Sequence, residues 1–111
     1  MDIIETDVSG ILVVEPNGGI DSTNAEAFVA QVMASFSARQ CNLIIDFQKV
    51  KFISSAGFRS LLIMGKSIEN ARRKLFLCGM SPEVQRVFEL ATFNELFTIC
   101  SSREDAAQQG M

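Results

Sequence analysis

The chain has no His, no Trp and no Tyr. Without His it lacks the usual general base near neutral pH and the commonest metal ligand. That excludes a Ser-His-Asp or Cys-His mechanism within the chain. The three cysteines, Cys41, Cys78 and Cys100, fit no zinc spacing. Each lies in or beside an apolar run, so they read as free, buried thiols of a reducing compartment. No apolar run approaches the length of a membrane span. The opening residues, Met1-Asp2-Ile3-Ile4-Glu5, carry no basic leader. Basic residues are outnumbered, 10 Lys and Arg against 13 Asp and Glu, for a net charge of −3. No basic stripe with interleaved aromatics occurs, so neither nucleic-acid binding nor membrane insertion is expected. Gly65-Lys66-Ser67 lacks the loop that precedes such a triplet in phosphate-binding motifs, and it falls inside an expected helix. No cofactor or metal is expected, no enzyme activity is expected, and the expected location is cytoplasmic.

What is present is apolar: 48% of 111 residues are hydrophobic, including nine Phe. That suffices for one packed core, and the chain reads as a single domain, 1–111. Residues 3–8 and 11–15 are β-prone runs joined by Ser9-Gly10, a tight-turn signal, so a hairpin is expected. Pro16-Asn17-Gly18-Gly19 breaks the pattern. Thr23 and Glu26 fit a capping box ahead of a first helix. Its buried face is expected to be Ala25, Phe28, Val29, Val32, Met33 and Phe36, and its end near 38–40. Residues 41–47, nearly all apolar, read as a central strand covered on both faces.

A second helix is expected over 55–71, with Phe58, Leu61, Leu62, Gly65 and Ile68 inward. Arg72-Arg73-Lys74 reads as its solvated end. Leu75–Cys78 is a further strand, closed by Gly79. Ser81-Pro82-Glu83 starts a third helix with Val84, Val87, Phe88 and Ala91 inward. Leu96–Cys100 is a last strand, and 101–109 a short polar helix fraying at Gly110-Met111. The fold class is therefore α/β: a mixed four- to five-stranded sheet packed with about four helices, opened by a β-hairpin, its later strands parallel.

The chain is organised around Val50-Lys51-Phe52-Ile53-Ser54-Ser55-Ala56-Gly57-Phe58, where a strand hands over to the second helix. Ser54 or Ser55 can cap that helix. Its free N–H groups and dipole also tolerate a phosphate there. Leu43–Phe47, this serine stretch and Leu61-Leu62, with Gly19-Ile20-Asp21, Met80–Val84 and Phe88-Glu89-Leu90, together resemble the STAS domain family. The likeness is to the stand-alone anti-sigma factor antagonists of bacteria, and it covers about residues 3–105.

The resemblance implies a STAS-like fold and a protein switch. The partner it implies is an anti-sigma factor that is also a GHKL-type serine kinase, bound when the antagonist is unphosphorylated and released when it is phosphorylated. A PP2C-type phosphatase restores the active form. Carried over by position, the phosphorylated residue is Ser55, with Ser54 as the alternate. Ser54 replaces the acidic residue that precedes the phosphosite in the family. Asp21, Ile53, Ser54, Ala56, Gly57 and Arg59 border the implied partner surface. Beside these stand plainer readings: Ser54 as a cap, Asp21 as a turn residue, Phe58 as core, and Asp46 as a turn acceptor at a strand end. A constitutive STAS scaffold without phosphorylation is the alternative function.

Overall fold

The computed structural model describes residues 1–90 and 97–110. The expected roles of Ala91, Leu96 and Met111 lie outside the described residues. The element order is β1 (Asp2–Val8), β2 (Ile11–Asn17), α1 (Ala25–Arg39), β3 (Leu43–Asp46), α2 (Ser55–Asn70), β4 (Leu75–Cys78), α3 (Pro82–Leu90), β5 (Thr98–Cys100) and α4 (Arg103–Gln109). The strands form one sheet in the order β1-β2-β3-β4-β5. The β1–β2 pair is antiparallel and every later pair is parallel. The hairpin turns at Ser9 and Gly10, both at positive φ, with the Asp7 carboxylate accepting from the Gly10 N–H. Asn/Asp/Gly-type residues suit such a turn because both central positions are left-handed.

Side-chain alternation divides the core between the two faces of the sheet. Val14, Ile45, Leu77 and Ile99 stand in register across four strands and meet α1, α2 and α3. Val13, Ile44 and Phe76 point the other way, with Cys78 and Cys100, and are covered by α4 through Ala106. On the three-helix face Phe88 of α3 is the hub. Its ring meets Phe58 at 4.7 Å, Phe47 at 6.0 Å and Phe97 at 6.1 Å between centroids, all edge-on. Such pairs add about 0.5–1.5 kcal/mol each beyond their burial. Phe58 is therefore a core residue, as its helical spacing indicates.

Several local expectations are corrected. The Thr23–Glu26 capping box does not form. The Thr23 N–H and hydroxyl both turn to the Asp21 carboxylate, and α1 starts later, with Asn24 at the N-cap and no side-chain cap bond. In α2 the inward stripe runs Gly57/Phe58, Leu61, Met64, Ile68, so Leu62 is exposed and Gly65 half-buried. Steps of three and four keep one face, while Leu62 lies about 100° round from Leu61. In α3 Val87 is exposed for the same reason, with Val84 and Phe88 inward. Gly110 is tied down: its N–H reaches the Ala106 carbonyl, and its own carbonyl accepts from the Asn42 side chain. Arg72-Arg73-Lys74 falls just beyond α2 and is exposed, with Arg72 at φ +61°.

Candidate functional site

The strand-to-helix junction is held by a second segment running parallel to it. After β2, the Gly18 N–H donates to the Lys49 carbonyl at 2.9 Å, and the Ile20 N–H to the Phe52 carbonyl at 3.1 Å. The Ser54 N–H returns to the Ile20 carbonyl at 2.9 Å, and Ile20 and Ile53 form a parallel bridge. This ladder sets Asp21 beside the start of α2. The Asp21 N–H donates to the Asn24 side chain at 3.0 Å, and its carbonyl accepts from the Ala25 N–H at 2.9 Å. The Thr23 hydroxyl, then the Thr23 N–H, hold the Asp21 carboxyl below the usual carboxylate range. Asp21 thus builds the turn into α1 and stays half-exposed.

The two serines have separate positions. Ser54 is extended, at φ −91° and ψ 176°, and is the N-cap. Its Oγ accepts from the Gly57 N–H at a long 3.4 Å, and its carbonyl accepts from the Phe58 N–H at 2.9 Å. Ser55 is the first helical residue and is exposed, and its hydroxyl makes no hydrogen bond among the described residues.

The other sequence-derived site residues fall at different depths. Ala56 is half-buried and Arg59 is exposed. Ile53 is 8% exposed and Gly57 is buried, so both shape the junction from below. A Cβ on Gly57 would lie 2.5 Å from Ile53 Cγ1 and 3.0 Å from the Ile20 carbonyl oxygen. Only glycine lets α2 start this close to the ladder.

Two further features were not read from the sequence. Phe52, 52% exposed, lays its ring over Gly19, where a Cβ would sit 2.1 Å from the ring. Alternation offers no signal for it, because Lys51 and Phe52 are both outward. A groove of about 490 Å³ lies between α1 and α2, walled by Ser22, Ala25, Glu26, Val29 and Ala30 on one side. Ala56, Arg59, Ser60 and Ile63 form the other wall. Neither helix shows it alone.

On the opposite face of the sheet lies a charged cluster. Asp46 accepts from the Gln48 N–H at 2.9 Å, which is the turn role read from sequence. It also takes Arg103 of α4 at 3.0 Å, and Arg103 reaches Glu15 at 3.4 Å, as does Lys49. Both acids are buried and both are paired. A cavity of about 740 Å³ opens beside them, at the carboxyl ends of the parallel strands. Among the described residues no group of three or more His, Cys, Asp or Glu is placed to hold a metal ion, and no helix is long and apolar enough to cross a membrane.

Known proteins resemble this chain in sequence and in fold. A profile of the STAS domain matches residues 3–106. A Bordetella bronchiseptica protein named as an anti-sigma factor antagonist, BtrV, is 33% identical over 90% of this chain and 86% of its own length. A Thermotoga maritima structure, also described as an anti-sigma factor antagonist, superposes with a TM-score of 0.91 at 18% identity, over 97% of this chain and 93% of its own. The antagonist SpoIIAA has been solved unphosphorylated and, as a Bacillus protein, phosphorylated, and the two forms match with the same TM-score of 0.71. They are 20% and 19% identical, over 97% of this chain and 96% and 98% of their own. A profile spanning nearly the whole sequence, a relative one-third identical and the five-stranded fold agree, and the chain belongs to the STAS domain family.

Proposed function

We propose that the chain is an anti-sigma factor antagonist that works by partner switching at Ser55. With Ser55 unmodified it binds an anti-sigma factor that is also a GHKL-type serine kinase. Phosphorylation of Ser55 by that kinase releases it, and a PP2C-type phosphatase returns it to the binding form. The observation that carries this reading is the position of Ser55. Ser55 is exposed at the first residue of α2 and its hydroxyl makes no hydrogen bond among the described residues, while Ser54 takes the capping role. A kinase can reach Ser55 without disturbing the helix.

The physics of release is local. A phosphate adds about −1.5 to −2 charge and strong acceptors. On an exposed helix start it disturbs little, because the free N–H groups of the first turn favour an anion. At a packed interface the same group must be desolvated and repels any acid facing it. A loss of about 3 kcal/mol corresponds to more than a hundredfold in affinity. The equal match of this fold to both forms of SpoIIAA fits a switch that leaves the fold in place. Asp21, Ser54, Ala56 and Arg59 ring Ser55 as the contact surface, supported by Ile53 and Gly57 beneath.

The test is affinity for the GHKL-type partner kinase, measured by calorimetry. Ser55→Asp is expected to lose a hundredfold or more with an unchanged circular dichroism spectrum, while Ser55→Ala keeps binding. If both Ser55→Asp and the true phosphoprotein bind as tightly as the unmodified chain, the switch is refuted and a constitutive scaffold takes its place. Phosphate mapped to Ser54 would move the site by one residue.

A further inference from the structure

We infer that Arg59 is the internal receptor for a phosphate on Ser55, closing a phosphoserine–arginine pair across the first turn of α2. The inference rests on the reading of Ser55 as the modified residue. Ser55 and Arg59 are four apart in one continuous helix. Residues so spaced share a face, with Cβ atoms about 5–6 Å apart. Helical side chains lean toward the N-terminus, which carries the long Arg59 arm back over Ser55. An acid placed N-terminal to its base at this spacing is the favourable order. A guanidinium also meets phosphate oxygens through two parallel N–H bonds.

Arg59 is free for this role. Arg39 is held by Asp7, and Arg103 by Glu15 and Asp46. Arg59 carries no ion pair among the described residues and is exposed. Pairing therefore breaks no bridge among the described residues and buries no bare charge. Among the described residues the charged group that shares the groove with it is Glu26, while Asp21 precedes α1 and Lys51 precedes α2 in the chain.

The pair links modification to surface shape. Without phosphate, Arg59 is part of the wall of the α1–α2 groove and its one cation among the described residues. With phosphate, its guanidinium is drawn to the head of α2, and a partner acid that used it is left unpaired. Charge competition for one arginine then adds to the direct repulsion at Ser55.

The test uses the full chain with phosphoserine placed at position 55 during translation, so that no kinase is needed. Phosphorus NMR follows the second ionisation of the phosphate in wild type, Arg59→Gln and Arg59→Lys. In wild type it is expected about 0.2–0.4 pH unit lower than in Arg59→Gln. Arg59→Lys should recover part of the difference, and salt should shrink it. The helix N-terminus, Asp21, Glu26 and Lys51 are common to all three proteins, so their effects cancel. The same ionisation in all three, with the Gln variant folded by circular dichroism, overturns the inference. The switch reading is tested separately: coupling to Arg59 without loss of kinase binding sinks the switch and leaves the pair. Loss of binding without coupling does the reverse.

Discussion

At the start of α2 one backbone torsion separates two chemically identical side chains. Ser54 is extended and spends its oxygen on the Gly57 N–H, whereas Ser55 is helical and exposed. Which serine caps cannot be read from Ser-Ser alone, since either hydroxyl could do it. Gly57 supplies a residue-scale prediction. In an exposed helix, Gly→Ala stabilises by about 0.8–1 kcal/mol. Here the added methyl meets Ile53 Cγ1 at 2.5 Å and the Ile20 carbonyl oxygen at 3.0 Å, and neither is the loose end of a flexible chain. Overpacking of this kind costs about 1–3 kcal/mol. The clash outweighs the propensity gain, and Gly57→Ala should unfold at lower urea than wild type. The nearest atoms to a Cβ at position 19 all belong to the half-exposed Phe52 ring, which can swing outward, so Gly19→Ala should cost less. A Gly57→Ala protein as stable as wild type would mean that the junction is looser than this geometry.

At the scale of elements, α4 is the least self-sufficient helix. It is seven residues long and places one fully buried residue, Ala106, on the sheet. A helix this short is marginal alone. What anchors it is Arg103, inserted between Glu15 of β2 and Asp46 of β3. Removing one partner of a buried charge set leaves the others uncompensated, at about 3–5 kcal/mol. Lys49 still serves Glu15, and Arg103 is about one-third exposed, so the lower end applies. Arg103→Met should therefore lower the urea midpoint and strip hydrogen-exchange protection from 103–109, while leaving protection in α1 unchanged. Equal protection of α4 in the variant would assign its anchoring to apolar contact instead. This cluster was not legible in the sequence. Asp46 reads correctly as a turn acceptor because Gln48 is two residues away, but Arg103 is 57 residues from Asp46 and 88 from Glu15. Local pattern carries no signal at that range. The elements themselves were legible because each has its own period and punctuation: Ser9-Gly10 for the hairpin, Ser81-Pro82 for α3, Gly79 at φ +70° after β4.

For the whole molecule, the sheet order β1-β2-β3-β4-β5 follows the sequence, so each parallel crossover joins neighbours. That is why topology could be read from element order, while the groove between α1 and α2 could not. The same sheet buries two of the three thiols. Cys78 and Cys100 stand in register on adjacent strands under α4, and Cys41 is half-buried ahead of β3. Burial, and then the charge of Asp46, push the Cys78 thiol up to about 12; burial, and then Asp105, raise Cys100. Both groups have folded values above their unfolded ones. Their contribution to stability is therefore intact below the ordinary thiol range and is lost as pH rises through it, because the unfolded chain ionises first. Each such thiol contributes a slope of up to about 1.4 kcal/mol per pH unit. The absence of Tyr leaves little else to titrate between the thiol range and that of Lys. The urea midpoint should accordingly fall between about pH 9 and pH 10, and the fall should be shallower in Cys78→Ala, whatever that variant's absolute stability. A thiol reagent at pH 8 should label Cys41 alone in the folded protein. Rapid labelling of Cys78 at that pH, or a slope unchanged by its removal, would mean that α4 opens often enough to expose the face of the sheet it covers.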